Sequence, residues 1–108
     1  MKTAVILLAA AAAAIYAAGA HAADAKNADA LAKASGCFAC HTLDKKLVGP
    51  GYKEIADKYR KDKNAVASLT KKVKEGGKGV WGDIPMMPNA HVKDEDIKTL
   101  VQWILSIK

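Results

Sequence analysis

The chain has 108 residues, with 17 Lys and Arg against 11 Asp and Glu, a formal charge of +6, and two cysteines. That length holds one small domain and excludes a multidomain enzyme, and two cysteines exclude a scaffold laced by several disulfides. A domain this short buries a modest core and commonly needs a disulfide, a metal or another bound group to hold it. The cysteines lie too close together to close a useful loop, so a bound group is the expectation.

The N-terminal stretch reads as a leader. Lys2 precedes an unbroken apolar run over residues 4–18, which ends in Gly19-Ala20-His21-Ala22. A basic start, an apolar segment and a small-x-small end are the three parts of a secretory signal peptide. As a helix, residues 4–18 rise only about 22 Å, short of a bilayer core roughly 30 Å thick. The expected organisation is therefore a cleaved leader over residues 1–22 and one exported domain over residues 23–108, with no stable membrane insertion. Lys2 is the only charged residue in the leader, so the domain stays basic. That charge suits nucleic acid, but export does not, and nucleic acid is set aside as a partner.

Beyond the leader there is no internal repeat and no strand-like alternation; the periodicity is helical throughout. A first helix is expected over residues 27–36. Residues 51–60 place Tyr52, Ile55, Ala56 and Tyr59 on one face, at i, i+3, i+4 and i+7. The outer face offers Glu54 to Lys58 and Asp57 to Lys61, the favourable order for i,i+4 pairs. A third helix follows Asn64, a good N-cap residue, turns Val66, Leu69 and Val73 inward, and stops at Gly76-Gly77.

Residues 76–90 lose the helical period. They hold glycines at 76, 77, 79 and 82, Pro85, Pro88, Trp81 and the pair Met86-Met87. A long irregular loop in so small a domain is usually functional. The last helix opens with Asp94-Glu95-Asp96, acids suited to the positive end of a helix dipole, and buries Ile97, Leu100, Val101 and Ile104, with Trp103 beside them. The fold class is all-α: four or so helices around one loop.

Cys37-Phe38-Ala39-Cys40-His41 is C-x-x-C-H, the attachment signature of c-type haem. On a helical turn, residues at i, i+3 and i+4 share a face, so both thiols and the imidazole point the same way. The thiols add across the two haem vinyl groups as thioethers, while His41 reaches the iron. Three other readings compete. A thioredoxin-like dithiol uses C-x-x-C but accompanies an alternating strand and helix pattern that is missing here. A structural zinc site needs four ligands, and only Cys37, Cys40, His41 and His91 are on offer in the domain, two of them adjacent. A plain disulfide is open to an exported protein. Haem places a demand on the rest of the chain, since a second protein ligand requires a Met or His on a segment able to cover the other face. Ile84-Pro85-Met86-Met87-Pro88-Asn89 supplies it, with prolines to stiffen the backbone.

At these residues the chain resembles class I cytochromes c, in particular the short bacterial monohaem electron carriers. The resemblance spans the domain. It takes in the helix before C-x-x-C-H, the Val48-Gly49-Pro50 turn, Gly79-Val80-Trp81-Gly82, Ile84-Pro85-Met86 and the closing Trp103-Ile104-Leu105 helix. It implies a small class I cytochrome c fold wrapped around one covalently bound haem c and its iron, with Cys37 and Cys40 as thioether cysteines and His41 as proximal ligand. Met86 falls in register with the distal ligand. The resemblance further implies that Pro50 accepts the other ring N–H of His41, Asn89 hydrogen-bonds near the ligating sulfur, Trp81 donates to a haem propionate, and Lys72 stands as the basic propionate partner. Two departures stand out. Met87 replaces an expected proline and sets a second sulfur beside the ligand. The turn before the last helix is one residue longer than usual around His91, which is expected to be a solvated side chain.

The function implied is that of a monomeric periplasmic carrier of single electrons, not an enzyme, because His41 and Met86 fill both axial positions. Its partners would be redox proteins with acidic docking surfaces, drawn to lysines that flank the haem edge: Lys45, Lys46, Lys71, Lys72, Lys74 and Lys78. Two other classes stay open: a haem-based sensor or low-turnover peroxidase with a labile Met86, and a metal-free thiol oxidoreductase.

Overall fold

The computed structural model describes residues 20–108, so nearly all of the leader expected over residues 1–22 lies outside the described residues. Among the described residues four helices form: α1 (Ala20–Ala34), α2 (Tyr52–Tyr59), α3 (Ala65–Glu75) and α4 (Asp94–Leu105). Helix α1 begins seven residues' worth of chain ahead of the expected Asn27, as an alanine-rich run with high helix propensity allows. A single 3-10 turn, Cys37–Ala39, follows α1. None of these helices is long and apolar enough to cross a membrane.

Helix α4 is the hub, packing against α1, α2 and α3. Ile97, Leu100, Val101 and Ile104 are buried along it, as its apolar spacing implies. From α1 it receives Ala28 and Ala32, both fully buried and one turn apart, so the two helices meet through methyl groups at close range. Val92, Ile97 and Val101 form a cluster on which Val66, Leu69 and Val73 of α3 rest. On α2, Tyr52 and Ala56 are buried while Ile55 and Tyr59 are half-buried. Half-buried Ile55, Tyr59, Leu69 and Val73 line the cavity described below, together with the buried Tyr52, Leu100, Val101 and Ile104.

Three local expectations need correction. The segment after α3 is a hairpin, not structureless: β1 (Gly77–Gly79) pairs antiparallel with β2 (Gly82–Met86), with Gly77 opposite Met86 and Gly79 opposite Gly82. Val80 and Trp81 form its tip. Second, Asn64 occupies the N-cap position of α3 without a side-chain cap; its own N–H is instead accepted by Asp62 Oδ1 at 2.8 Å. Third, the two i,i+4 ion pairs expected on α2 do not form among the described residues. Glu54 Oε1 accepts the Gly51 N–H at 2.9 Å, a first-turn contact that satisfies an orphan donor, and Asp57 pairs with Arg60 at 3.0 Å.

Candidate haem site

The C-x-x-C-H segment is set by backbone bonds to Cys37. The N–H groups of Cys40 and His41 both donate to its carbonyl, at 3.2 and 3.1 Å, which brings the two cysteines and the histidine around one turn. Residues 41–50 then loop back. Gly49 N–H donates to Cys40 O at 2.7 Å, and Tyr52 N–H to Thr42 O at 2.9 Å, returning Pro50 to the imidazole. His41 is buried, and its Nδ1 lies 2.7 Å from Pro50 O. A carbonyl only accepts, so Nδ1 carries the proton and Nε2 keeps the lone pair a metal needs.

Aromatic packing holds this corner. Tyr52, 2 % exposed, stacks on His41 at 5.2 Å between centroids, meets Trp103 edge-on at 5.6 Å and leans on Phe38 at 5.7 Å. Phe38 thus packs on Tyr52 and takes no part in the cavity wall. Burial pushes the Cys37 thiol above its ordinary pKa, and a hydrogen bond with the Tyr52 hydroxyl opposes that shift in part. The Tyr52 hydroxyl is itself raised, first by burial and then by the neighbouring Cys37 charge.

One cavity of about 520 Å³ gathers the candidate residues. Cys37, Cys40, His41, Pro50, Lys72, Trp81, Met86 and Asn89 all line it, along with Met87. Met86 is half-buried; Met87 is 71 % exposed. Val48 and Ile84 stand exposed at the mouth. His91 is exposed and lies outside the lining. Asn89 Nδ2 donates to Val73 O at 3.1 Å and Met87 O at 3.2 Å, tying the loop to the end of α3.

Four contributors were missed in the sequence. Lys58 Nζ sits 5.8 Å from the centroid of Trp81, a cation over the indole that steadies the hairpin tip. The sequence marks Tyr52 only as a core residue of α2 and Lys74 only as one of the flanking lysines. Gly49 lies so close to the imidazole that a Cβ there would stand 2.7 Å from His41 Cε1 and 3.1 Å from Nδ1. Gly49→Ala is therefore expected to tilt the ring, break its bond to Pro50 and cost about 1–3 kcal/mol by overpacking, read as a lowered denaturant midpoint and an altered His41 signal in NMR.

The residues fit haem c. Two thiols, an imidazole with a free Nε2 lone pair and a thioether surround a largely apolar space whose cations, Lys46, Lys72 and Lys78, suit the propionates. The family profile for Cytochrome c matches residues 11–108. Cytochrome c-552 of Hydrogenobacter thermophilus is 55 % identical over 72 % of this chain and 79 % of its own length. Cytochrome c-551 of Allochromatium vinosum is 53 % identical over 71 % of this chain and 82 % of its own. The crystal structure of Nitrosomonas europaea cytochrome c552 superposes with a TM-score of 0.72 at 49 % identity, covering 74 % of this chain and 99 % of that one. With its four helices and its C-x-x-C-H turn, the chain belongs to the cytochrome c family, whose small class I members hold one haem c covalently and carry electrons rather than catalyse.

Proposed function

We propose that the chain is an exported periplasmic carrier whose haem iron is held by His41 and Met86. The observation that carries this reading is the joint placement of the two donors. His41 is locked by Pro50 in the tautomer that frees Nε2, and Met86 reaches the same cavity from a strand whose register is fixed by Gly77. Bound haem supplies a one-electron change at iron, and a thioether ligand raises the reduction potential by favouring the ferrous state. The protein's own part is to hold both ligands still, so that little moves when the electron does. Tyr52 and Trp103 brace the imidazole, and the hairpin braces the thioether.

A carrier must also meet and leave partners quickly. Lys46, Lys72 and Lys78 line the cavity together with a single acid, Asp83, and none of the three lysines is ion-paired among the described residues. Val48, Val80, Ile84 and Met87 are exposed between them. An apolar mouth with a basic rim fits a small, short-lived contact with an acidic redox protein, reached by a monomer.

Stopped-flow electron exchange with an acidic redox protein tests this. The bimolecular rate is expected to fall severalfold as ionic strength rises from about 0.01 to about 0.15 M, where the screening length shrinks from about 30 to about 8 Å. Lys46→Glu with Lys78→Glu is expected to remove most of that salt dependence. A rate indifferent to salt and to both substitutions would take the lysine rim out of the reading.

A further inference from the structure

Lys74 takes no part in the cavity, yet its ammonium group gathers two oxygens from the loop that leads to α4 and one from the first residue of α4. It donates to Val92 O at 2.7 Å and Ala90 O at 3.2 Å, and lies 3.1 Å from Asp94 Oδ1. The two carbonyls flank His91, where the turn carries its extra residue. The Lys74 side chain is 33 % exposed and that of Asp94 81 %, so the ion pair adds little and the bonds from a charged donor to the carbonyls dominate.

The same turn of α3 holds the loop one step earlier. Asn89 N–H is shared between the carbonyls of Val73 and Lys74, at 3.1 and 3.2 Å, and Asn89 Nδ2 donates to Val73 O. Residues 89–92 are thus fixed to the end of α3 by backbone and side chain together. Only Met87 and Pro88 separate this anchor from Met86, and proline holds its own φ fixed. Motion at the anchor therefore passes to the thioether with little slack.

We propose that Lys74 is a latch on the ligand loop: by binding the carbonyls on either side of His91 it holds residues 86–92 over the cavity and sets how readily another ligand displaces the Met86 thioether. It is a positioning residue, and the proposal rests on the reading of Met86 as ligand. Without the ammonium group, the carbonyls of Ala90 and Val92 turn to water and the loop opens locally while the α1–α4 core stays closed.

Imidazole binding to the haem-loaded ferric protein tests the latch, followed by loss of the long-wavelength Met-to-iron band. Lys74→Met keeps the aliphatic stem, removes the donors and is expected to raise the apparent imidazole affinity about tenfold. Lys74→Arg retains a charged donor and returns the affinity to within about threefold of the parent, while Asp94→Asn stays within about twofold because both carbonyl bonds survive. Ala32→Gly, in the α1–α4 contact, is the control for general loosening and leaves the affinity unchanged. An unchanged affinity in Lys74→Met, or an equal rise in Ala32→Gly at the same loss of stability, overturns the proposal. Amide exchange in the same proteins gives a second readout: Lys74→Met speeds exchange at Asn89 and Val92 about tenfold and leaves Ile97 unchanged, and equal protection in parent and variant would overturn the latch as well. Failure of the Met86 reading looks different, since the parent would then lack the band or Met86→Ala would keep it.

Discussion

Met86→Ala is expected to abolish the long-wavelength Met-to-iron absorption of the oxidised protein. It should also lower the reduction potential by on the order of 0.2 V, within the roughly 0.8 V that axial ligands span across haem proteins. Met87→Ala is expected to leave both near their parent values. The two sulfurs are neighbours in sequence and both line the cavity, so the difference rests on strand geometry. Met86 closes β2, pairs with Gly77 and is half-buried; Met87 lies past the last pair and is 71 % exposed. Side chains alternate along a strand, so one residue of slip would exchange the sulfur that faces inward. Loss of the band in Met87→Ala instead would move the ligand by one residue and show that the Gly77–Met86 register does not set it.

Gly76→Ala carries the second large effect. Gly76 has φ 77° and ψ −172°, a region open essentially to glycine alone. A Cβ there would also fall on the Met86 carbonyl oxygen and come within 3.0 Å of Pro88 N and 3.2 Å of the Met87 carbonyl carbon, all backbone atoms that cannot swing aside. Strain of about 1–3 kcal/mol and overpacking of a similar size together come to about 2–6 kcal/mol, a large part of the roughly 5–15 kcal/mol that holds a domain together. The expected result is a sharply lower denaturant midpoint and loss of the Met-to-iron band, because the 86–88 segment is what must move. Gly79→Ala is the comparison. Gly79 also has positive φ, 109°, but a Cβ there meets nothing within 4 Å, so about 1–2 kcal/mol of strain should leave the band in place.

Where the sequence was legible, one element's chemistry decided its own fate. Helix α4 starts at Asp94 and buries Ile97, Leu100, Val101 and Ile104, as the acidic first turn and the 3.6-residue apolar spacing require. The turn of Cys37, Cys40 and His41 follows from the spacing of the motif itself. The hairpin escaped because glycines at 77, 79 and 82 leave no alternation to read, and its pairing is fixed by backbone bonds that no side-chain pattern reports. The i,i+4 spacing pairs Lys58 with Glu54; Lys58 instead lies over Trp81, a partner that only the folded chain brings near, while Glu54 turns to the local Gly51 N–H. The amide of Asn89 binds the Val73 and Met87 carbonyls, contacts that no sequence pattern announces. Lys74 shows the same limit: its partners Ala90 and Val92 are distant in sequence, and a lysine in a lysine-rich stretch reads as a solvated face until its amine is placed.

The most direct test of the carrier reading is one optical experiment: the visible spectrum of the native, dithionite-reduced protein at neutral pH, before and after carbon monoxide. With His41 and Met86 as the two axial ligands, c-type haem bands are expected to remain unchanged over minutes. Rapid conversion to a carbon monoxide complex would contradict it and point to a sensor or peroxidase with an open iron, and the absence of c-type bands would return Cys37 and Cys40 to thiol chemistry.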